Sequence, residues 1–282
     1  MHGSNAQENQ SMHWILTVPP DFSLKQLIQR SRWMILSPFS ANRAGECLER
    51  VERLSSGQVI AMTITQAPTG LHIGVGLHLN AAQVEELSQK TWRMLRLGES
   101  FSPFLQRARN DIRLRRLLQQ GVRFLRGADF FEDLLKALFL GRAPLPEAAQ
   151  QFAQLVDTFG DVLPSNPTRH ALPTAQQLLE QEGAIVRSLG AEQGATVLHA
   201  AATYQRHAAA LEALPSTPLA LPDVLSQLHG IPGVANGACD YLLLALGRYD
   251  GIPGAPVMAS ASGLEQWQPW SGLVYWLEHS PQ

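Results

Sequence analysis

The run from Leu225 to Ala255, LSQLHGIPGVANGACDYLLLALGRYDGIPGA, constrains this chain more than any other. Val224, Leu225 and Leu228 fall on one helical face, and His229-Gly230-Ile231-Pro232-Gly233-Val234 ends that helix with two glycines about a proline. A second helix is expected from Ala238 to Leu246, with Asn236 as its cap and Gly247 as its stop. Its Tyr241-Leu242-Leu243-Leu244 stretch is apolar on every side, which assigns the helix to a core. Two helices joined by a tight turn can offer only the turn to the outside.

Ile231-Pro232-Gly233-Val234, with Ala235 and Asp240 after it, resembles the L-P-G-V-G-x-x-x-A-D hairpin of the HhH-GPD superfamily of DNA base-excision glycosylases. Gly247-Arg248-Tyr249-Asp250-Gly251-Ile252-Pro253 is similar to that family's exit, and Glu265-Gln266-Trp267-Gln268-Pro269-Trp270 to the tryptophan-rich start of its last helix. A further match is Gln120 to Leu134, which looks like the G-x-R-x-L-R-x-D-x-x-E-x-L opening of the core helix in the 3-methyladenine glycosylase II and 8-oxoguanine glycosylase branches. The resemblance spans roughly residues 13–280.

At 282 residues and 45% hydrophobic content the chain can bury a sizeable core, and a net charge of -2 excludes a uniformly basic coat without excluding one basic face. Cys47 and Cys239 are too few for a disulfide framework or a four-cysteine iron-sulfur cluster, and are expected as reduced, buried thiols of a cytoplasmic, nucleoid-associated protein. No apolar run reaches membrane-spanning length, and no protein partner is legible. The expected fold is α+β, a small antiparallel sheet domain over 13–79 with one helix, then an all-helical core over 80–282 with the helix-hairpin-helix at 223–247. Residues 1–12 are expected to be disordered.

Strand signals cover His13 to Val18, Glu46 to Leu54, Val59 to Thr65 and Leu71 to Leu79, with turn sequences at Ser55-Ser56-Gly57 and Ala67 to Gly70. Helical spacing is seen over 22–28, 81–95 (capped by Asn80), 102–118, 149–159, 174–182, 184–189 and 195–214. The helix over 102–118 carries Arg107, Arg109, Arg113, Arg115 and Arg116 against Asp111 alone, either a solvated face or a phosphate-binding one. His199 and His207 lack partners at metal-ligand spacing and read as packing or surface residues. Trp267, Trp270, Tyr275 and Trp276 suit core packing, or the wall of a pocket for a flipped base.

The resemblance implies double-stranded DNA as partner, gripped by hairpin N–H groups from Gly233 to Gly237 and by a monovalent or divalent cation on the carbonyls of His229, Ile231 and Val234. The DNA-binding set is therefore His229, Gly230, Ile231, Pro232, Gly233, Val234, Ala235, Asn236, Gly237 and Arg142. Ala235 replaces the usual second glycine, where a positive φ would be strained. The family pushes an Asn or Gln into the base stack after its core helix; this chain has Gly141-Arg142 followed by Ala143-Pro144-Leu145-Pro146, either an Arg142 wedge or a plain linker. The Tyr-Arg pair that opens a later helix in many relatives is here Glu192-Gln193-Gly194.

Catalytic equipment is where the sequence departs from that pattern. Ala255 stands at the family's catalytic Asp, and Gly237 at its Schiff-base Lys. Asp250 is the substitute carboxylate to consider, although a Tyr-Asp after a helix commonly ties down its own loop. The chain's three lysines are Lys25, Lys90 and Lys136, so lyase chemistry at the hairpin has no candidate. The expectation is a DNA-binding protein on a glycosylase scaffold, with weak or no turnover, on damaged or abasic duplex. The alternatives are an active N-glycosylase for alkylated purines such as 3-methyladenine, or a partner-binding domain that has lost DNA.

Overall fold

The structure is a computed structural model of the chain, and it describes residues 11–251 and 263–280. Residues 1–10 and the segment 252–262, with Ala255, lie outside the described residues. The expected α+β architecture is present, a five-stranded antiparallel sheet followed by helices. β1 (Met12–Leu16), β2 (Phe39–Ala41), β3 (Cys47–Arg53), β4 (Val59–Ala67) and β5 (Gly70–Val75) pair in the order β1-β5-β4-β3-β2. Met12, assigned by sequence to the leading disordered segment, pairs with Val75.

Alternation sets the sheet's faces. Leu48, Ile60, Met62, Ile64, Leu71 and Ile73 point inward onto α1 (Leu24–Arg30) and α2 (Ala81–Met94), where they bury against Leu24, Leu27, Ile28, Leu87 and Met94. Ser23 caps α1 through the Gln26 N–H, and Asn80 forms with Gln83 the capping box that starts α2. Cys239 is buried as expected; Cys47 is not, because its strand position faces outward on β3.

The remaining helices are α3 (Ser102–Ala108), α4 (Ile112–Leu118), α5 (Phe130–Leu140), α6 (Leu145–Phe159), α7 (Ala175–Glu180), α8 (Glu182–Leu189), α9 (Ala191–Ala213), α10 (Leu221–His229), α11 (Asn236–Leu246) and α12 (Ser271–His279). None is long and apolar enough to cross a membrane. The single helix expected over 102–118 is two, because the Asp111 carboxylate accepts the Arg113 and Leu114 N–H groups and so begins a new helix. The purely helical bundle expected over 147–214 contains a hairpin, β6 (Val162–Leu163) with β7 (Asn166–His170). Tertiary packing explains it: Leu163 and Ala171 bury on Val51 at the outer face of the sheet, and Arg169–Glu49 and Arg53–Asp161 tie it down at 2.9 Å each.

A buried charge network joins sheet to core. Arg50 of β3 donates both terminal nitrogens to Glu132 of α5, at 2.9 and 2.8 Å, and Lys136 meets the same carboxylate at 2.7 Å. All three side chains are buried, and the two cations lie over the Phe39 ring at 4.5 Å. Asp129 caps α5 beside them, and burial with the negative charges of Glu132, Glu212 and Glu52 pushes its carboxyl up to about 6. A raised carboxyl stabilises the fold fully below its unfolded value of 3.8, and this contribution is lost as pH rises through about 6. Asp129→Asn keeps the cap and removes that loss. Its thermal midpoint relative to wild type should therefore rise by about 4–8 °C between pH ~4.5 and ~7.5, a difference of about 2 kcal/mol.

Candidate nucleic-acid interface

The sequence-predicted hairpin forms. α10 ends at His229, residues 230–235 turn, and α11 runs from Asn236 to Leu246 with Gly247 as a left-handed stop at φ 73°. Val224, Leu228, Ile231, Val234, Leu242 and Leu243 bury in one cluster with Phe130, Leu134 and Leu138 of α5. The turn therefore projects from a packed base.

The backbone differs from expectation at two residues. Ala235 is extended, φ -86° and ψ 176°, so it carries no glycine-like strain; the positive φ, 89°, falls on Gly233. Ala235 rather than Asn236 is the residue preceding the helix, and it has no side-chain cap. The first turn of α11 is thus uncapped, and the N–H groups of Gly233, Asn236 and Gly237 find no acceptor among the described residues. Val234 and Ala235, also expected as donors, are used within the turn, on Ile231 O and Gly233 O at 3.1 Å each. Three exposed or half-exposed donors at a helix N-terminus form an anion-receptive surface.

Three elements hold α11 in place. Its N-terminus abuts the end of α5, where a Cβ on Gly141 would sit 2.5 Å from Ala238 N and one on Gly237 would sit 2.9 Å from Gly141 O. Its C-terminus receives the buried Arg96 guanidinium, which donates to the Leu244 and Ala245 carbonyls and, at 2.8 Å, to Phe124 O. Gly233 at the tip lies against α9, since a Cβ there would come within 2.4 Å of Thr196 Cγ2.

Arg142, directly after Gly141, pairs with Glu192 of α9 at 2.7 Å. The sequence had singled out both positions without linking them. The segment after Arg142 is not a two-proline linker, because Pro144 is the residue preceding α6, whose first turn holds Pro146.

At the middle of α11, on its core side, the rings of Trp33, Tyr241 and Trp276 close into one cluster, Trp33 stacked on Trp276 at 5.2 Å and 11°, Tyr241 tilted 5.2 Å from each. Trp33 was missed by the sequence reading, since nothing near it in the chain signals a role and only folding brings it to α12. Trp267 packs on Phe104 in the core, as does Trp270, and Tyr275 stacks on His279. His199 and His207 are exposed, and no cluster of three potential metal-ligating side chains occurs among the described residues.

Asp250 is held by Arg248 at 3.1 and 2.8 Å, and Arg248 also donates to Leu219 O at 3.0 Å. That is a loop-anchoring arrangement. Lys25 pairs with Glu46, Lys90 with Glu52 and Glu86, and Lys136 with Glu132. Of the clustered arginines, Arg107 donates to Gln268 O and covers Trp267, and Arg113 pairs with Asp111, while Arg109, Arg115 and Arg116 are exposed without partners among the described residues. Arg123 and Arg126, in the motif before α5, are structural: Arg123 donates to Arg96 O and Glu99 O, and Arg126 pairs with Asp133.

The sequence matches no family model and no curated protein. Its fold matches solved structures. MBOgg1 in complex with a low-affinity DNA ligand superposes with a TM-score of 0.69 at 17% identity, covering 95% of each chain. The 3-methyladenine DNA-glycosylase from Archaeoglobus fulgidus gives 0.68 at 17%, covering 94% of this chain and 96% of that one. The Clostridium acetobutylicum 8-oxoguanine glycosylase/lyase in its apo form gives 0.59 at 15%, covering 86% and 98%. These likenesses show a shared fold over nearly the whole chain.

Proposed function

We propose that this chain, which has the fold of DNA glycosylases, belongs to the HhH-GPD superfamily and binds duplex DNA by its backbone, with weak or no base release. The observation that carries this reading is the uncapped start of α11, where the N–H groups of Gly233, Asn236 and Gly237, exposed or half-exposed residues of a hairpin packed against α5 and α9, find no acceptor among the described residues. Such donors need no basic side chains, which suits a chain of net charge -2. The hairpin cation that the resemblance implies would rest on the carbonyls of His229, Ile231 and Val234. Their fit is partial: Ile231 O already accepts Val234 N–H at 3.1 Å, and His229 Nδ1 lies 3.3 Å from Val234 O, which leaves each of these two oxygens one lone pair. A cation there would add positive charge at the turn; the N–H donors serve without it.

Weak turnover rests on the residues at the catalytic positions. Ala255 supplies no carboxylate, Gly237 meets the backbone of Gly141 where a lysine would project, and Asp250 is committed to Arg248. The second reading, an N-glycosylase for alkylated purines, is favoured by one observation, the half-buried ring of Tyr241 in α11; Trp33 and Trp276, which pack on it, are themselves buried in the core. Aromatic faces attract a cationic base, and such a base is already activated as a leaving group.

Incubation with methylated and with deaminated duplex, followed by chromatography of the supernatant, separates the two readings. No free base above the uncatalysed level is expected. Release of 3-methyladenine that is lost in Asp250→Asn would establish the second reading.

A further inference from the structure

Arg142 and Glu192 form an ion pair across the edge of the hairpin, and the surroundings of both residues are fixed. Arg142 follows Gly141, whose backbone is wedged against the first turn of α11. Glu192 lies in the first turn of α9, and its carbonyl accepts Thr196 Oγ1 at 2.9 Å. Thr196 in turn touches Gly233, the residue of positive φ at the hairpin tip. The backbones of both partners are thereby tied to the element that presents the free N–H groups, while their side chains remain open to solvent, 37% exposed for Arg142 and 82% for Glu192.

A carboxylate at that place is anomalous for a surface that receives phosphates. Its position in the first turn of α9 gives it a favourable dipole interaction of about 0.3–1 kcal/mol, which explains the helix's tolerance of an acid but not its contact with Arg142. An exposed pair contributes about 0–1 kcal/mol, so a phosphate that approaches Arg142 displaces the carboxylate at little cost.

We propose that Glu192 is a releasable counter-charge for Arg142: in the free protein it neutralises and holds the guanidinium, and on binding a DNA phosphate takes its place. The inference rests on the duplex-binding reading above. It makes Glu192 a residue that sets how tightly any duplex is held, with the charge of Arg142 withheld until a strand lies on the hairpin.

A double-mutant cycle tests it, by fluorescence anisotropy of the full chain on a short labelled random-sequence duplex from about 50 to 200 mM KCl. Glu192→Gln should tighten binding by roughly threefold to fivefold, the scale of one exposed pair. Arg142→Gln should weaken it and lower the slope of log K against log salt by about 0.9, one phosphate contact. The double variant should match Arg142→Gln, because the gain from removing Glu192 passes through Arg142. If the gain persists in the Arg142→Gln background, Glu192 acts only by repelling DNA and the counter-charge role is wrong. If the wild type binds duplex and neither single substitution changes its affinity, the role is also wrong while the duplex-binding reading stands. If the wild type binds no duplex at the lowest salt, the reading fails and takes this inference with it. Unchanged thermal midpoints in all three variants confirm that these exposed positions report on binding.

Discussion

Glu132→Ala is expected to destabilise the protein by about 3–5 kcal/mol, because it strands the buried Lys136 and removes one of the two buried carboxylates, with Glu52, that hold Arg50. Arg50 and Lys136 both terminate on this carboxylate, each with a side-chain exposure of 5% or less. Attraction to them holds the Glu132 carboxyl far below the ordinary carboxylate range against the opposing effect of its burial. A depressed carboxyl stabilises above its unfolded value near 4.5 and loses that contribution as pH falls through the folded one. Wild-type stability should therefore fall steeply below about pH 4 from this source, while Glu132→Ala should lack that limb. Urea unfolding across pH measures both effects. Replacing the three charges together by apolar residues of similar size should cost less than the single substitution, since their desolvation disappears with the pairing and Glu52, the other partner of Arg50, keeps Lys90 at 2.8 Å. Equal losses in the two variants would show that the network acts through packing rather than charge.

Gly233→Val is expected to weaken duplex binding at least tenfold while leaving most of the fold's stability in place. A side chain at φ 89° is strained by about 1–2 kcal/mol, and its Cβ would also meet Thr196 Cγ2 at 2.4 Å. The turn must then move away from α9, which takes the Gly233, Asn236 and Gly237 N–H groups out of register with one another. Thr196→Gly in the same chain should recover part of the affinity, since it relieves the clash and not the strained dihedral. Duplex affinity of the two variants, beside their thermal midpoints, separates loss of the turn's shape from loss of the fold. Gly141→Ala probes the other contact of α11, where Ala238 N would lie 2.5 Å from the new Cβ.

Much of this was legible in the residues because local and tertiary preferences agree. The Gly-Pro-Gly turn, the apolar helix after it, the Gly247 stop and the alternating strands from Cys47 to Val75 are set by patterns a few residues long. The features that were misread depend on distant partners. The β6–β7 hairpin exists because Val51 and Ala171 cover Leu163, and nothing in its two prolines and polar residues announces that. Trp33 joins Tyr241 and Trp276 only through the fold. The position of the strained residue could not be read from a glycine count either, since the turn places its positive φ on Gly233 and leaves Ala235 extended. Arg142 and Glu192 were each visible as departures from a family pattern, but their pairing needed α5 and α9 side by side. Ala255, which the resemblance sets at the family's catalytic Asp, is known from sequence alone.

Affinity for undamaged duplex as a function of salt tests the central claim most directly, since a clamp of backbone N–H groups grips DNA without reading a lesion. The account predicts measurable binding at low salt and a shallow log–log slope of roughly -1, the charge of Arg142 on one phosphate, since neutral N–H donors displace few counterions, with affinity reduced and that slope kept in Gly233→Val. Binding that is insensitive to salt, or equal in wild type and Gly233→Val, would contradict it.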